Sequence, residues 1–403
     1  MPGRRGLDRS ALAPGPFPAV AARKDPCLMK SRTNRRPSPF VRVALALSMV
    51  LMAACGGDGG DQTEAADTGA SGSASSASAS EPSGSAGASA PAATEATDDD
   101  STDEPDAAPE FRTIEHLGGT TDVPVDPKNI LALDEYSAFQ LWDLGFEPTT
   151  VYASLLTLYT EPVANEMGVE LTEHLLADPA IEAAAAIAPD LIVSFGHPVT
   201  LERYDLWSEA GPMFLYSDAA PWQEQLTRVG EALGAEDVAA QRIAGIDAEI
   251  ARIAAEIDAA FETPPTVSIM GSGEGFGPFA APAMLTTSGA LLDQLGLDRP
   301  DAQRVEVNPA LPLIFFSEET LLDHDADFVF VLADGGFYGD GMGDLPLFPS
   351  LTGTTANVSG EFWLGTFPFA VSWILADIEA VLLGDGVTRT GADVVDHWNA
   401  YRG

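Results

Sequence analysis

The chain predicts an α/β fold: two lobes of mainly parallel sheet joined by one long α-helix. Three observations predict it. From residue 111 onward, short apolar runs of strand length alternate with helix-length segments, the pattern of parallel sheets covered by helices. The alternation occurs twice. Between the two runs lies one unbroken helical stretch over 236–261, with Ile243, Ile246, Ile250, Ile253 and Ile257 at three- and four-residue spacing.

Each element has a local reason. Residues 111–116 and 120–123 flank Leu117-Gly118-Gly119 and read as an opening hairpin. Residues 130–133 form a short apolar strand, and Asp134 caps a helix that runs to Leu144 before Gly145. A strand follows at 150–152 and a helix at 181–187; Pro189-Asp190 leads into a strand at 191–194, and another lies at 212–216. The helix over 222–233 ends at Gly234, and the long helix stops at Pro264-Pro265. The second run gives strands at 266–270, 314–316, 328–332 and 362–364, with helices at 289–295, 318–323 and 369–383. In such sheets ligands meet the loops after the carboxyl ends of the strands, so the two lobes should share one cleft.

The N-terminal 54 residues are of another kind. They hold ten of the 20 Lys and Arg but two of the 61 Asp and Glu. Lys30, Arg32, Arg35 and Arg36 precede an apolar run over 41–54 that is too short to span a bilayer. Ala53-Ala54 then precede Cys55, as in a secretory signal whose Cys takes a lipid and becomes the new N-terminus. Met29 is an alternative start, and Arg35-Arg36 leaves a twin-arginine route open beside the general one. Cys27 and Cys55 are the two cysteines, so export leaves a single thiol and excludes disulfides, cysteine-ligated metals and a cysteine nucleophile from the folded part. Residues 55–110, rich in Gly, Ser, Ala and acids, cannot bury enough apolar surface to offset ordering and read as a disordered tether. The resulting organisation is a signal peptide over 1–54, a lipidated Cys and tether over 55–110, one lobe over 111–235, a linker helix over 236–263 and a second lobe over 264–403. The expected location is the outer face of the cell membrane, held there by the lipid on Cys55.

Charge narrows the partners. The net formal charge is −41, and residues 111–403 retain roughly −36. That field repels nucleic acid. Ten cations remain beyond the tether: Arg112, Lys128, Arg203, Arg228, Arg242, Arg252, Arg299, Arg304, Arg389 and Arg402. Arg304 is the best placed to reach a cleft, with Arg203 second. So few cations poorly match a triply charged ferric catecholate, whereas a neutral or cationic ferric hydroxamate avoids the repulsion and can use aromatic loops.

Catalytic patterns are missing. The glycine-rich run 271–278 lacks the third glycine of a dinucleotide loop, the Gly-Lys-Ser/Thr of a phosphate loop and the Gly-x-Ser-x-Gly of a hydrolase. Its Gly273 and Phe276 read as cleft wall, where backbone can approach a ligand closely. The five histidines are scattered without metal-ligand spacing, so no metal site is expected. His197 stands out because it follows Phe195-Gly196 at a strand end. Tyr136, Tyr152, Phe195, Trp222, Tyr338 and Trp363 also fall in or beside predicted loops and join it as ligand-binding candidates. Phe139, Trp142, Phe328 and Phe330 lie inside elements and are expected in the core.

Several stretches, in order, carry a family resemblance. They are the run 127–134 (Pro-Lys-Asn-Ile-Leu-Ala-Leu-Asp), Asp143-Leu144-Gly145-Phe146-Glu147-Pro148, Ile181-Glu182 running into Ile187-Ala188-Pro189-Asp190-Leu191-Ile192, the run 316–322 from Phe316-Ser317-Glu318-Glu319, and Asp325-Ala326-Asp327-Phe328-Val329. With the long helix between its halves, the chain resembles ABC-transporter substrate-binding proteins that serve ferric siderophores, cobalamin and haem. The resemblance covers about 112–400. It implies binding without turnover, a small lobe motion about a stiff helix, and delivery to permease subunits in the membrane. It implies that Glu182 and Glu319, one per lobe, dock basic residues of the transporter; helix-end electrostatics alone would also favour carboxylates there. The preferred ligand is a ferric siderophore of hydroxamate type, bound by a monomer without cofactor, with iron present only inside that complex. Cobalamin or haem is the alternative within the family. An extracellular enzyme or a ligand-free surface interaction module on the same scaffold are the alternatives outside it.

Overall fold

The computed structural model describes residues 110–153, 157–173, 181–273, 277–280, 286–307, 313–333 and 341–403. The leader, Cys55, the tether, Phe276 and Tyr338 lie outside these. A hairpin of β1 (Phe111–His116) and β2 (Gly119–Pro124) opens the described chain. Then come β3 (Ile130–Ala132), α1 (Glu135–Asp143), β4 (Thr150–Ala153), α2 (Thr157–Met167), β5 (Glu170–Glu173) and α3 (Ile181–Ile187). They are followed by β6 (Leu191–Phe195), α4 (Pro198–Glu202), α5 (Tyr204–Ala210), β7 (Met213–Tyr216) and α6 (Trp222–Leu233). These strands form one parallel sheet of order β5-β4-β3-β6-β7.

The linker helix α7 spans Glu236–Ala260. It buries Ala239, Ile246, Ile250, Ile253 and Ile257 along one stripe. On its outer face Arg252 pairs with Glu249 at 2.6 Å and Glu256 at 2.7 Å, and reaches Glu379 at 2.9 Å. The second run holds β8 (Val267–Gly273), β9 (Gly277–Ala280), α8 (Thr287–Gln294), β10 (Ile314–Phe315), β11 (Phe328–Ala333), β12 (Thr354–Ser359), α9 (Gly360–Trp363), α10 (Pro368–Leu383) and α11 (Val394–Arg402). Its sheet has the order β10-β9-β8-β11-β12; β8, β10, β11 and β12 run in one direction, and β9 runs antiparallel to both of its neighbours.

The lobes repeat one device. Asp190, just before β6, accepts the backbone N–H groups of Lys128 and Asn129 at 2.7 and 2.9 Å, just before β3. Asp327, just before β11, accepts the N–H and hydroxyl of Thr266, each at 2.8 Å, just before β8. In each lobe a carboxylate thus sets the register of the two central strands at their amino ends. Ala188 is the one non-glycine residue with φ in the left-handed region among the described residues, at 51°. Asn129 Nδ2 holds it there by donating to the carbonyls of Ile187 and Ala188 at 2.7 and 2.9 Å.

Several expected elements differ. Residues 362–364 are not a strand: Ser359 caps Phe362 N–H at 3.3 Å and starts the helical turn α9, and the strand is β12 just before it. The segment Glu318–His324 is a 3₁₀ helix rather than an α-helix. The glycine run 271–278 contributes an antiparallel pairing, Gly273 opposite Gly277, whose φ of +76° suits glycine. Strands β5, β9 and β12 and helices α2, α4, α5 and α11 were not expected. The strands among these lie at or near sheet edges, and β5 and β12 carry polar residues that do not read as strands.

Helix α10 buries eleven of its sixteen residues and is a core helix rather than a surface cover. Phe369 and Phe367 bring it against Phe139 of α1, the latter stacked at 4.5 Å and 3°. Helix α11 returns to the first run, where Tyr401 meets Asp143 and Asn399 meets Glu166. The two sheets are therefore bridged by α7, α10 and α11 together, which makes the connection stiffer than a single helix.

Candidate functional site

In both sheets the strand order reverses at the centre, between β3 and β6 in one and between β8 and β11 in the other. Ligand crevices of open α/β sheets form outside the carboxyl ends of strands at such points. In the first lobe that place is organised by Asp134. Its Oδ1 accepts Ser137 N–H at 2.7 Å and so caps α1, while Oδ2 accepts Ser194 Oγ at 2.8 Å and Phe195 N–H at 3.1 Å. One carboxyl group thus ties the end of β3 to the end of β6. Burial pushes its pKa up to about 7 against the hydrogen bonds from Ser137 and Ser194. Ser137 Oγ lies 3.2 Å from Tyr216 Oη, and burial raises that phenol well above its ordinary range.

Above this network runs a row of rings. His197 meets Phe195 edge-on at 6.0 Å, Phe195 meets Tyr136 at 5.4 Å, and Tyr136 meets Phe367 at 5.5 Å. Phe367 is fully buried and follows α9 of the second run, so the row crosses from one lobe to the other. Thr366 beside it donates to Gln225 Oε1 of α6 at 3.3 Å. Tyr136 and His197 are half-buried, and Phe195 is 8% exposed. The sequence-predicted residues Tyr136, Phe195 and His197 are therefore together at the first switch point. Gly273 is buried at the carboxyl end of β8, the corresponding place in the second lobe. Phe367 was missed because it reads as the start of an apolar helix.

Three aromatic candidates turn inward. Trp363 is fully buried, tilted against Phe330 at 4.5 Å, with Nε1 donating to Asp377 at 3.0 Å. Tyr152 and Trp222, each 4% exposed, pack into the core. Arg304 is also misplaced by the sequence reading. It pairs with Asp298 and donates to the Arg299 carbonyl at 3.0 Å. Asp298 exchanges backbone hydrogen bonds with Pro265 and Val267, at the amino end of β8. Arg304 is thus at the opposite end of that strand from the switch point.

The cations are largely consumed. Of the ten beyond the tether, Lys128, Arg228, Arg242, Arg252, Arg299, Arg304 and Arg389 pair with acids. Arg112 donates to the Val125 carbonyl at 3.4 Å, and Arg402 lies 5.4 Å over the Trp398 ring. Among the described residues no group of three or more His, Cys, Asp and Glu is arranged to hold a metal ion. A concavity of about 300 Å³ opens beside the carboxyl end of β7, lined in part by His116, Leu117, Tyr216, Ser217 and Gln225. A larger groove of about 820 Å³ is lined by α7, α10, α11 and Arg389 and includes no strand end. Strand ends, not volume, mark the ligand site in this architecture.

Glu182 and Glu319 are both exposed, in the first turns of α3 and of the 3₁₀ helix. Glu182 stands nine residues before Leu191, which opens β6, and Glu319 stands nine before Phe328, which opens β11. By this count along the sequence Glu319, rather than Glu318, matches Glu182. Hydrogen bonds from its own N–H and from Ser317 hold the Glu319 carboxyl below its usual range.

The model of the family described as periplasmic binding protein matches residues 174–356. The Probable siderophore-binding lipoprotein YfiY of Bacillus subtilis is 30% identical over 230 residues, which is 54% of this chain and 68% of that protein. The chain belongs to the periplasmic binding protein family. It is a substrate-binding protein rather than an enzyme. The binding protein also shares 38% identity over 85 residues with the ferric enterobactin-binding periplasmic protein FepB of Escherichia coli, 20% of this chain and 27% of that one. The structure of Staphylococcus aureus SirA complexed with staphyloferrin B has the same fold, with a TM-score of 0.55 at 19% identity over 67% of this chain and 98% of that one.

Proposed function

We propose that the binding protein is the extracytoplasmic, lipid-anchored component of an ABC importer that captures a ferric siderophore and hands it to the permease. The observation that carries this reading is the similarity to YfiY across two thirds of that protein's length. The site supports it. An aromatic row at a switch point suits a bulky, partly apolar complex, and iron enters only inside that complex. Tyr136, Phe195, His197 and Gly273 form the described part of the binding surface, and Phe276 and Tyr338 are proposed to complete it. The scarcity of unpaired cations in a field of roughly −36 favours a neutral or cationic ferric hydroxamate over a ferric catecholate.

Glu182 and Glu319 serve as the permease-docking pair. A helix that feeds a parallel strand has its amino end on the carboxyl-end face of the sheet, which is the face bearing the cleft. The anchor is the lipid on Cys55, the preceding residues are its signal peptide, and the protein acts as a monomer. Titration of intrinsic fluorescence with a ferric tris-hydroxamate and with ferric enterobactin tests the ligand class. Tighter binding of the hydroxamate at moderate salt is expected; tighter binding of the catecholate overturns the charge argument.

A further inference from the structure

His197 is the outermost member of the ring row and follows β6 by two residues. Its Nδ1 accepts the N–H of Val199 at 3.3 Å and caps α4. A nitrogen that accepts a backbone N–H carries no proton, so the neutral ring keeps its single proton on Nε2. Burial also lowers the imidazole pKa, against the nearby Asp218 carboxylate, which raises it. Both the cap and the burial favour the neutral ring at the switch point. Among the described residues nothing is hydrogen-bonded to Nε2.

We propose that His197 is a specificity-determining residue: a neutral imidazole whose Nε2–H, fixed in tautomer by Val199, hydrogen-bonds an acceptor oxygen of the bound complex. This rests on the siderophore reading and names the chemistry of that site. A hydroxamate or amide carbonyl oxygen offers such an acceptor without bringing net negative charge. A neutral donor satisfies it without the charge compensation that a polyanion requires. The residue thus gives orientation, while Phe195 and Tyr136 give contact area.

Two substitutions separate the ligand role from the cap. In His197→Asn the side-chain oxygen sits at the δ position, where it can still accept Val199 N–H, but nothing reaches the position of Nε2. In His197→Gln an amide nitrogen at the ε position restores a donor while the cap is weakened. Binding of ferrioxamine, a ferric tris-hydroxamate, and thermal unfolding are measured for both variants of the purified chain. Expected is about a tenfold affinity loss in His197→Asn with unchanged thermal midpoint, the worth of one neutral hydrogen bond. His197→Gln should retain affinity within about threefold and unfold at lower temperature. Wild-type affinity in His197→Asn overturns the assignment, as does a loss that follows thermal stability in both variants. Failure of the wild-type protein to bind ferrioxamine, ferric enterobactin or any other ferric siderophore offered overturns the siderophore reading itself, and this assignment with it.

Discussion

Tyr401 donates its hydroxyl to Asp143 Oδ1 at 2.6 Å, joining the last helix of the chain to the last residue of α1 in the first lobe. Arg242 of the linker helix closes the triangle, with its guanidinium 4.6 Å over the Tyr401 ring and 3.7 Å from the same carboxyl oxygen. Three segments far apart in sequence meet at this point, and it fixes how the lobes are held. Tyr401→Phe deletes the hydrogen bond and leaves a buried carboxyl group short of a donor. A stability loss of about 1–3 kcal/mol by urea denaturation is expected, with ligand affinity unchanged.

The buried carboxyl groups give the fold a characteristic pH response. Burial raises Asp134 and Asp143 to about 7 and Asp377 to about 6, against hydrogen bonds that favour the charged forms. A folded-state pKa above the unfolded one means that the native state holds the extra proton. The stabilisation is complete below the unfolded carboxyl range and is lost as pH rises through the folded values. His397 works in the other direction: burial lowers it to about 4, so stability falls as the solution becomes more acidic than its unfolded value. Asp143→Asn removes one of the three carboxyls. Relative to wild type, that variant should gain stability between pH 4 and 7, by at most about 1.4 kcal/mol per pH unit. Denaturation midpoints across that range measure it.

Trp363 tests whether an aromatic near a loop is core or ligand contact. Trp363→Phe keeps most of the apolar volume but loses the bond to Asp377. It should destabilise by about 1–3 kcal/mol and leave ligand affinity within twofold of wild type.

Much of the fold was legible because apolar periodicity is a local signal. The isoleucines of α7 mark its buried stripe, and the runs beginning at Ile130, Leu191 and Phe328 mark central strands. Edge strands carry a weaker signal. In β12 only Ala356, Val358 and Ser359 are buried, so Thr354 to Ser359 reads as loop. At the site, sequence located Tyr136, Phe195 and His197 at strand ends, but it could not give side-chain direction. Trp363 and Arg304 have equally plausible positions in sequence, yet tertiary partners decide them: Phe330 and Asp377 take the indole, and Asp298 takes the guanidinium.

Docking by Glu182 and Glu319 should be separable from ligand binding. With both Glu182 and Glu319 changed to Arg, cells should lose uptake of the ferric complex while the purified protein binds it normally. Equal loss of both activities would place the pair in the pocket or the fold instead.

Anchoring is tested by Cys55→Ser. The variant should appear in the medium rather than in the membrane fraction. Retention on the membrane as firm as that of the wild type would refute the lipid anchor.

The ligand class decides what the protein does. Native mass spectrometry of the purified chain, offered a ferric tris-hydroxamate, ferric enterobactin, haem and cobalamin in one mixture, tests it most directly. One-to-one complexes with the ferric siderophores alone are expected, with the hydroxamate complex in the larger share. A complex with haem or cobalamin instead, or a chain that stays free in the presence of all four, would contradict it.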